Sequence, residues 1–275
     1  MTRWTVDLRR LALPLACAAL LIAGLAAGAA QAQTGREIMQ TQKDRHDVDA
    51  EVSLSTMTLI NAKGRRQDRR MVTLRIRNAE GQSRSLVKYL APNDIANVGL
   101  LTWEQPGDTE DDQWLYLPAS DDVKRIVGGS KKNAFMGSDI AYEDMRAEDL
   151  DAFDYTLTGE EEVDGHPCFV VEARPATQTE REESGYGLRI LYIRKDIYFT
   201  VRTDFFDPRE RLLKKATFTG LSNPAGDLWR AEVSRFETVR AGTATETVVE
   251  EREIDAEIPE GTFATQNIKR RSRYR

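Results

Sequence analysis

The sequence predicts a mainly β protein with short helices, built on one antiparallel sheet. Many short segments alternate apolar and polar residues, or are rich in β-branched and aromatic residues, at the spacing of hairpins. Turn-forming pairs such as Asp164-Gly165 and Asp207-Pro208 separate these segments, and no long helical pattern lies between them. No interior boundary divides the pattern, so we expect one domain over residues 33–268.

Residues 1–32 have the features of a secretory signal peptide. Three arginines precede a long apolar stretch, and Ala30-Gln31-Ala32 forms a cleavage site of the small-x-small type. We therefore expect export and a mature protein that begins at Gln33. The alternatives are an uncleaved membrane anchor, since about 20 apolar residues span a bilayer, and a lipid attached to Cys17.

The first predicted element is a short helix from about residue 35 to residue 45. Thr34 is suited to cap it, and Ile38 and Met39 lie on one side. A helix this short needs a sheet to pack against.

The next segment predicts a long strand with a bulge. Val52 and Leu54 share one face, whereas Met57 and Leu59 have the opposite parity. After a turn at residues 62–64, the segment 72–76 alternates most regularly, and Thr73, Arg75 and Arg77 are expected on its polar face. Further strands are predicted at residues 86–90, 100–103, 114–118, 155–158, 168–172, 188–193, 198–205, 212–219, 228–236 and 245–251.

The segment from residue 114 to residue 145 is the most unusual part of the chain. A strand ending at Pro118 leads through a charged turn to bulky apolar residues around a Gly137-Ser138-Asp139 bend. A short helical turn at residues 142–145 follows. We expect hydrogen bonds from Ser138 to shape this bend.

Composition and charge argue against several kinds of function. The net charge is −6, and an acidic surface repels phosphate backbones, so no nucleic-acid partner is predicted. Cys168 is the single cysteine after the leader, and its apolar neighbours predict a small buried side chain instead of a nucleophile.

The chemistry-bearing residues form no catalytic or metal-binding pattern. His46 and His166 lie in contexts that predict structural or exposed roles, and Ser138 has neither a histidine nearby nor a nucleophile elbow. The acidic stretch 108–112 lacks the glycine and the final ligand of a calcium loop. The sequence therefore predicts a protein that is not an enzyme and that has no cofactor and no metal.

Large apolar residues are common among the predicted strands and turns. They fill an ordinary core in one interpretation; in the other, a strongly curved sheet leaves an interior wide enough for a ligand. In the second interpretation the candidate ligand-binding residues are Leu54, Leu74, Ile76, Leu86, Trp103, Leu115, Phe135, Met136, Tyr142, Met145, Phe199 and Trp229.

Several segments resemble the outer-membrane lipoprotein-sorting (LolA-like) family of periplasmic proteins, in particular its branch associated with RND-type exporters. The most specific part is MGSD at 136–139 with YED at 142–144, which follows WLYLP at 114–118. VDG at 163–165, YIRKD at 192–196 and IPEGTF at 258–263 agree with it. The resemblance implies a half-closed barrel, formed by a strongly bent antiparallel sheet around a hydrophobic cavity that helices cover. It also implies transport of lipid or lipoprotein through the periplasm.

The leading hypothesis is therefore a periplasmic carrier for a lipid, lipoprotein or other apolar ligand. It would work with an inner-membrane RND-type transporter and with a possible outer-membrane acceptor. An acyl chain contributes roughly 0.8 kcal/mol per buried methylene, so it could be held without a charged anchor. A lipid-sensing regulator of envelope stress and an envelope hydrolase are the alternatives. The basic tail, residues 269–275, is expected to be disordered or, as an alternative, to contact anionic lipid.

Overall fold

A single antiparallel sheet organises the structure, a computed structural model that describes residues 1–2, 33–106 and 109–274. The predicted signal peptide lies outside the described residues, apart from Met1 and Thr2. The strands are β1 (Ala50–Ile60), β2 (Arg66–Arg77), β3 (Ser83–Ala91), β4 (Gly99–Trp103), β5 (Asp112–Leu117), β6 (Asp122–Ile126), β7 (Phe153–Val163), β8 (His166–Pro175), β9 (Leu188–Arg194), β10 (Phe199–Phe206), β11 (Leu212–Ala225), β12 (Leu228–Thr238) and β13 (Thr243–Ile254). The α-helices are α1 (Gly35–His46) and α2 (Gln178–Glu183), and 3-10 helices lie at Gly128–Ser130, Phe135–Gly137, Glu143–Met145, Glu260–Phe263 and Thr265–Lys269.

The strand order is β6-β5-β4-β3-β2-β1-β13-β12-β11-β10-β9-β8-β7. All neighbours are antiparallel, and β1 pairs with β13, which joins the two halves of the chain in the middle of the sheet. Strands β6 and β7 are the two edges, so the sheet is not closed. The predicted antiparallel, mainly β fold is confirmed.

The helix α1 shows how strongly the sheet bends. Its first residue, Gly35, lies against β7, and its Lys43 pairs with Glu104, which directly follows β4. In a flat sheet β4 and β7, ten positions apart in the strand order, would be about 48 Å apart, whereas a helix of 12 residues is about 18 Å long. The sheet must therefore curve around α1, and we call the face that carries α1 the inner face.

The start of α1 follows from local sequence. Thr34 caps the helix and forms a reciprocal pair of hydrogen bonds with Glu37, as predicted for this position. Ile38 and Met39 are buried against the inner face of β8 and β9. Gly35, at the first helical position, lies directly against the backbone of β7.

Substituting alanine for Gly35 should displace α1. A Cβ atom there would lie 2.8 Å from the carbonyl carbon and oxygen of Tyr155, and these backbone atoms cannot give way. We expect Gly35→Ala to lower the free energy of unfolding by about 1–3 kcal/mol, the usual cost of overpacking, as measured by urea denaturation. Gly159→Ala is the matched control, because nothing lies within 4 Å of its added Cβ. Equal effects of the two substitutions would contradict the close approach of α1.

The outer face carries an apolar cluster under the end of the chain. We call residues 256–274 the C-terminal segment; its Ala256, Phe263 and Ile268 pack on the outer faces of β1 to β5. The indole N–H of Trp103 donates to the carbonyl of Phe263 over 2.8 Å. The basic tail, which we expected to be disordered, continues this contact as far as Tyr274.

A lysine is buried at this contact, and no carboxylate among the described residues pairs with it. Lys88 is 2% exposed, and its Nζ donates to the Asn97 side chain and to the carbonyl of Arg270. Burial lowers its pKa to about 8. Because this value is below that of the unfolded chain, stability should rise with pH between about 8 and 10.5.

We expect Lys88 to contribute up to about 3 kcal/mol to this rise. The measurement is the free energy of unfolding of the wild type and of Lys88→Met at pH 7.5 and pH 10. The variant should lack the rise, whereas Lys63→Met, which changes an exposed lysine, should keep it. Parallel pH curves for the wild type and Lys88→Met would contradict this role for burial.

The long connection between β6 and β7, residues 127–152, packs into the inner face, and we call it the inner loop. Its Phe135 is fully buried against Tyr89, and the two rings stack with centroids 5.6 Å apart. The hydroxyl of Ser138 donates to the carbonyl of Phe135 over 2.8 Å and accepts from the N–H of Ile140, which confirms its predicted role in the bend. Gly137 has a φ of +74°, a conformation that favours glycine.

Sequence and structure differ at two elements. The segment we interpreted as a charged turn contains the edge strand β6, and α2 was not predicted. Both are short and mostly exposed. Neither therefore has the regular spacing of apolar residues from which a strand or a helix is predicted. Within the described residues, no helix is both long and apolar enough to cross a membrane.

Candidate functional site

A cavity of about 450 Å³ opens on the inner face, beneath α1 and the end of the inner loop. Ligand pockets usually measure 300–1,000 Å³, so its size suits a small molecule. One part of its wall is aromatic and is formed by Phe199, Phe205, Phe218 and Phe236. The Phe205 and Phe236 rings lie 6.4 Å apart, and the Phe218 and Phe236 rings 6.1 Å apart.

The other part of the wall is charged, and it includes the polar face of β2. Arg75 and Arg77 line the cavity, whereas Leu74 lies on the outer face beneath the C-terminal segment. The predicted alternation along β2 is therefore present. Its polar face is turned towards the cavity instead of towards bulk solvent.

Most charged groups in the wall are paired. Arg189 contacts both carboxylate oxygens of Glu148, at 2.7 and 3.0 Å, and Arg77 pairs with Asp47. Burial would raise the pKa of Glu148, but Arg189 reverses that effect and the pKa lies below its ordinary value. These pairs are locally neutral and leave little unbalanced charge.

Glu51 is the centre of a different arrangement. Its carboxylate accepts from Arg230 at 2.9 Å and also from Arg252, and Arg75 lies opposite it in the register of β1 and β2. Burial would raise the pKa of Glu51, yet the arginines, led by Arg230, hold it below its usual range. Three guanidinium groups thus surround one buried carboxylate.

His46 links α1 to the wall of the cavity. Its Nδ1 accepts from the backbone N–H of Trp229 at 3.2 Å, so Nε2 carries the proton. Nε2 then donates to the carbonyls of Ile197 and Tyr198, at 3.0 and 3.1 Å. Burial lowers the pKa of His46, which agrees with a neutral, structural imidazole.

The structure distributes the twelve candidate ligand-binding residues over both faces of the sheet. Five lie in the cluster on the outer face: Leu54, Leu74, Ile76, Leu86 and Trp103. Five pack in the cluster beneath the inner loop: Leu115, Phe135, Met136, Tyr142 and Met145. Phe199 lines the cavity, and Trp229 lies beside it, half-buried, with its backbone bonded to His46.

Sequence reasoning missed the arginines and three of the four phenylalanines of the wall. Alternation identifies residues that share a face, but it does not show which face is concave. An arginine that faces a water-accessible cavity has the same pattern as one that faces bulk solvent. The one feature of the sequence that could have identified the basic part of the wall is that Arg75 and Arg77 occupy alternate positions in the same strand as Leu74.

The remaining chemistry-bearing residues lie apart from one another. Cys168 is fully buried, and burial raises the pKa of its thiol, which confirms the prediction of a buried small side chain. His166 is exposed at the start of β8. Among the residues that the structure describes, no group of three or more His, Cys, Asp or Glu side chains could hold a metal ion.

Comparisons with known proteins place this architecture among solved structures. A family model described as that of an uncharacterized protein matches residues 81–270. The chain is similar to a domain named for outer membrane lipoprotein sorting from Vibrio parahaemolyticus, with 28% identity, a TM-score of 0.80 and coverage of 86% of this chain and 98% of that one. No curated protein matches the chain.

Two further solved structures are also similar to this chain. A DUF1329 family protein from Desulfovibrio piger is 28% identical, with a TM-score of 0.79 over 85% of this chain and 97% of that one. A LolA superfamily protein from Nitrosomonas europaea is 16% identical, with a TM-score of 0.67 over 86% of this chain and 99% of that one, and it shows the fold alone.

Proposed function

This chain belongs to the family whose model matches residues 81–270 and is LolA-like in fold, and from that premise we propose that it carries a lipid or another acylated ligand through the periplasm. The observation that carries the proposal is the cavity of about 450 Å³ on the inner face. A core filled by its own side chains would leave no such space next to four phenylalanines.

The aromatic wall supports an apolar guest. Phe205, Phe218 and Phe236 present ring surface to the cavity, and each methylene that a ligand buries there contributes roughly 0.8 kcal/mol. A chain of eight methylenes would thus gain roughly 6 kcal/mol before the cost of association. We therefore propose that the phenylalanine wall, including Phe199, binds the apolar part of the ligand.

The entrance is the boundary between α1 and the inner loop. Met39 and Gln42 of α1 line one side of the cavity, and Ala147 and Leu150 of the inner loop line another. Side-chain contacts hold α1 and the end of the inner loop in place, among them the ion pair between Arg36 and Asp151. These two parts can therefore separate without breaking strand pairs. We propose that they act as the lid.

The predicted leader and the family resemblance support a periplasmic location and exchange with membrane proteins. An inner-membrane RND-type transporter is the proposed donor or acceptor, and an outer-membrane acceptor is a further proposed partner. Cleavage after Ala32 belongs to the same proposal.

The test is the identity of what the protein holds. The protein is produced with its full sequence, purified from the periplasm without detergent and extracted with organic solvent, and the extract is analysed by mass spectrometry. We expect a stoichiometric lipid or acylated molecule. A protein that yields no lipid, fails to bind added fatty acid and hydrolyses an ester substrate would overturn the proposal in favour of a hydrolase.

A further inference from the structure

One cation in the cavity wall has no partner within the described part of the chain. The side chain of Arg75 is exposed to the cavity, and it makes no hydrogen bond or ion pair with any residue of 33–106 or 109–274. The other basic groups of the wall are engaged. Arg77 pairs with Asp47, Arg189 with Glu148, and Lys43 with Glu104 at 3.7 Å.

The surroundings of Arg75 carry excess positive charge. Arg230 and Arg252 already occupy Glu51, and Arg230 also donates to the carbonyl of His46. Arg252 has a second carboxylate, Glu232, at 3.3 Å. Three guanidinium groups therefore share two carboxylates, and Arg75 supplies the charge that remains.

The position of Arg75 points in the same direction. Its side chain is exposed on the cavity wall, so an anion that enters the cavity can reach the guanidinium group. A guanidinium ion in such a place is stabilised by any anion that can reach it. Its five N–H donors match the geometry of a carboxylate or a phosphate.

The charged and aromatic parts of the wall are separated along one strand. Arg230 and Phe236 both line the cavity from β12, and six residues of strand extend about 20 Å. Arg75 lies at the Arg230 end, because both arginines surround Glu51. Phe205, Phe218 and Phe236 thus lie towards one end of the cavity, and Arg75 and Arg230 lie towards the other, where Phe199 packs on His46. This arrangement matches the polarity of an amphiphile with a charged head.

We infer that the ligand is an amphiphile with an apolar chain and an anionic head, and that Arg75 binds the carboxylate or phosphate of that head. This inference rests on the proposed carrier function and specifies its ligand. The phenylalanines of β10 to β12 bind the chain. Arg230 and Arg252 bind the two carboxylate oxygens of Glu51, which leaves the Arg75 guanidinium available.

The test compares matched amphiphiles on the full protein. Displacement of a fluorescent probe gives affinities for palmitate, hexadecyl phosphate and the neutral hexadecanol, with inorganic phosphate as a control without a chain. The variants are Arg75→Gln, Arg75→Lys and Arg65→Gln, the last of which removes the same charge from an exposed turn. Thermal melting confirms that each variant is folded.

We expect the wild type to prefer both anionic amphiphiles to hexadecanol. Arg75→Gln should lose about tenfold to hundredfold in affinity for the anionic ligands, the usual range for a lost charge-assisted hydrogen bond, and should keep its affinity for hexadecanol. Arg75→Lys should retain part of the preference, and Arg65→Gln all of it. A greater loss for palmitate than for hexadecyl phosphate would identify the carboxylate as the head, and the reverse would identify the phosphate.

The outcomes separate this inference from the carrier function. The role of Arg75 would be overturned if the wild type bound palmitate and hexadecanol with equal affinity. It would also be overturned if Arg75→Gln lost affinity for both ligands to the same extent. Either result would leave the carrier function standing. Binding of inorganic phosphate as tightly as hexadecyl phosphate would overturn the amphiphile. Failure of all three amphiphiles to bind would overturn both proposals.

Discussion

Replacing Asp139 by alanine should lower the free energy of unfolding by about 3 kcal/mol, one of the two largest effects that we expect. The Asp139 carboxylate accepts hydrogen bonds from the hydroxyls of Thr238, Thr243 and Thr245, at 2.5, 2.5 and 2.8 Å. Thr238 is the last residue of β12, and Thr243 and Thr245 belong to β13. Asp139 therefore fastens the inner loop to the middle of the sheet.

The effect should be large because charge-assisted hydrogen bonds are lost together. Without the carboxylate, the hydroxyls must find other partners, and Thr245 is fully buried. Phe135, four residues earlier in the same loop, would also lose its fixed position against Tyr89. Loosening of this anchor should expose apolar surface along the inner face.

Urea denaturation of three variants would measure this. Asp139→Asn should be intermediate, because an amide oxygen still accepts a hydrogen bond, and Asp94→Ala provides a control at an exposed turn. If Asp139→Ala were no less stable than Asp94→Ala, the threonine anchor would not hold the inner loop.

Filling the cavity should weaken ligand binding without unfolding the protein. Ala147 lies in the cavity wall, on the inner loop, and a loop position accommodates a larger side chain more readily than a strand does. The indole of Ala147→Trp brings about 150–250 Å² of surface into space that we assign to the ligand. Loss of contact for only two methylenes costs about 1.6 kcal/mol, so the affinity for a long-chain ligand should fall by at least about tenfold.

Two controls separate occlusion from other effects. Ala147→Ser changes the same position without filling the space, and Ala62→Trp adds an indole at an exposed turn. Both should bind a fatty acid as the wild type does, by probe displacement or calorimetry. Undiminished binding by folded Ala147→Trp would mean that the ligand occupies another part of the molecule.

The parts of the fold that local sequence determines were predictable. The bulge in β1 lies between Leu54 and Ser55, where the parity of the apolar residues changes. Thr34 caps α1, as predicted from its position before the helix. The bend at Ser138 has the predicted hydrogen bonds, because its donors and acceptors are close in sequence.

What depended on distant contacts was not predictable. Leu74 and Arg75 alternate in any strand, but only the C-terminal segment, almost two hundred residues later, determines that Leu74 is covered on the outer face. Arg75 could equally have pointed to bulk water. The inner cavity exists because α1 and the inner loop do not fill the concave side of the sheet. The spacing of apolar and polar residues in the sequence does not predict how much space is left unfilled.

The most direct test of the hollow inner face is to locate a bound chain by crystallography. Crystals grown with a fatty acid that carries bromine at its terminal carbon would show the bromine by its anomalous scattering. We predict a peak among Phe205, Phe218 and Phe236. A peak beneath the C-terminal segment, beside Leu74 and Leu86, or an inner face filled by the protein's own side chains, would contradict the account.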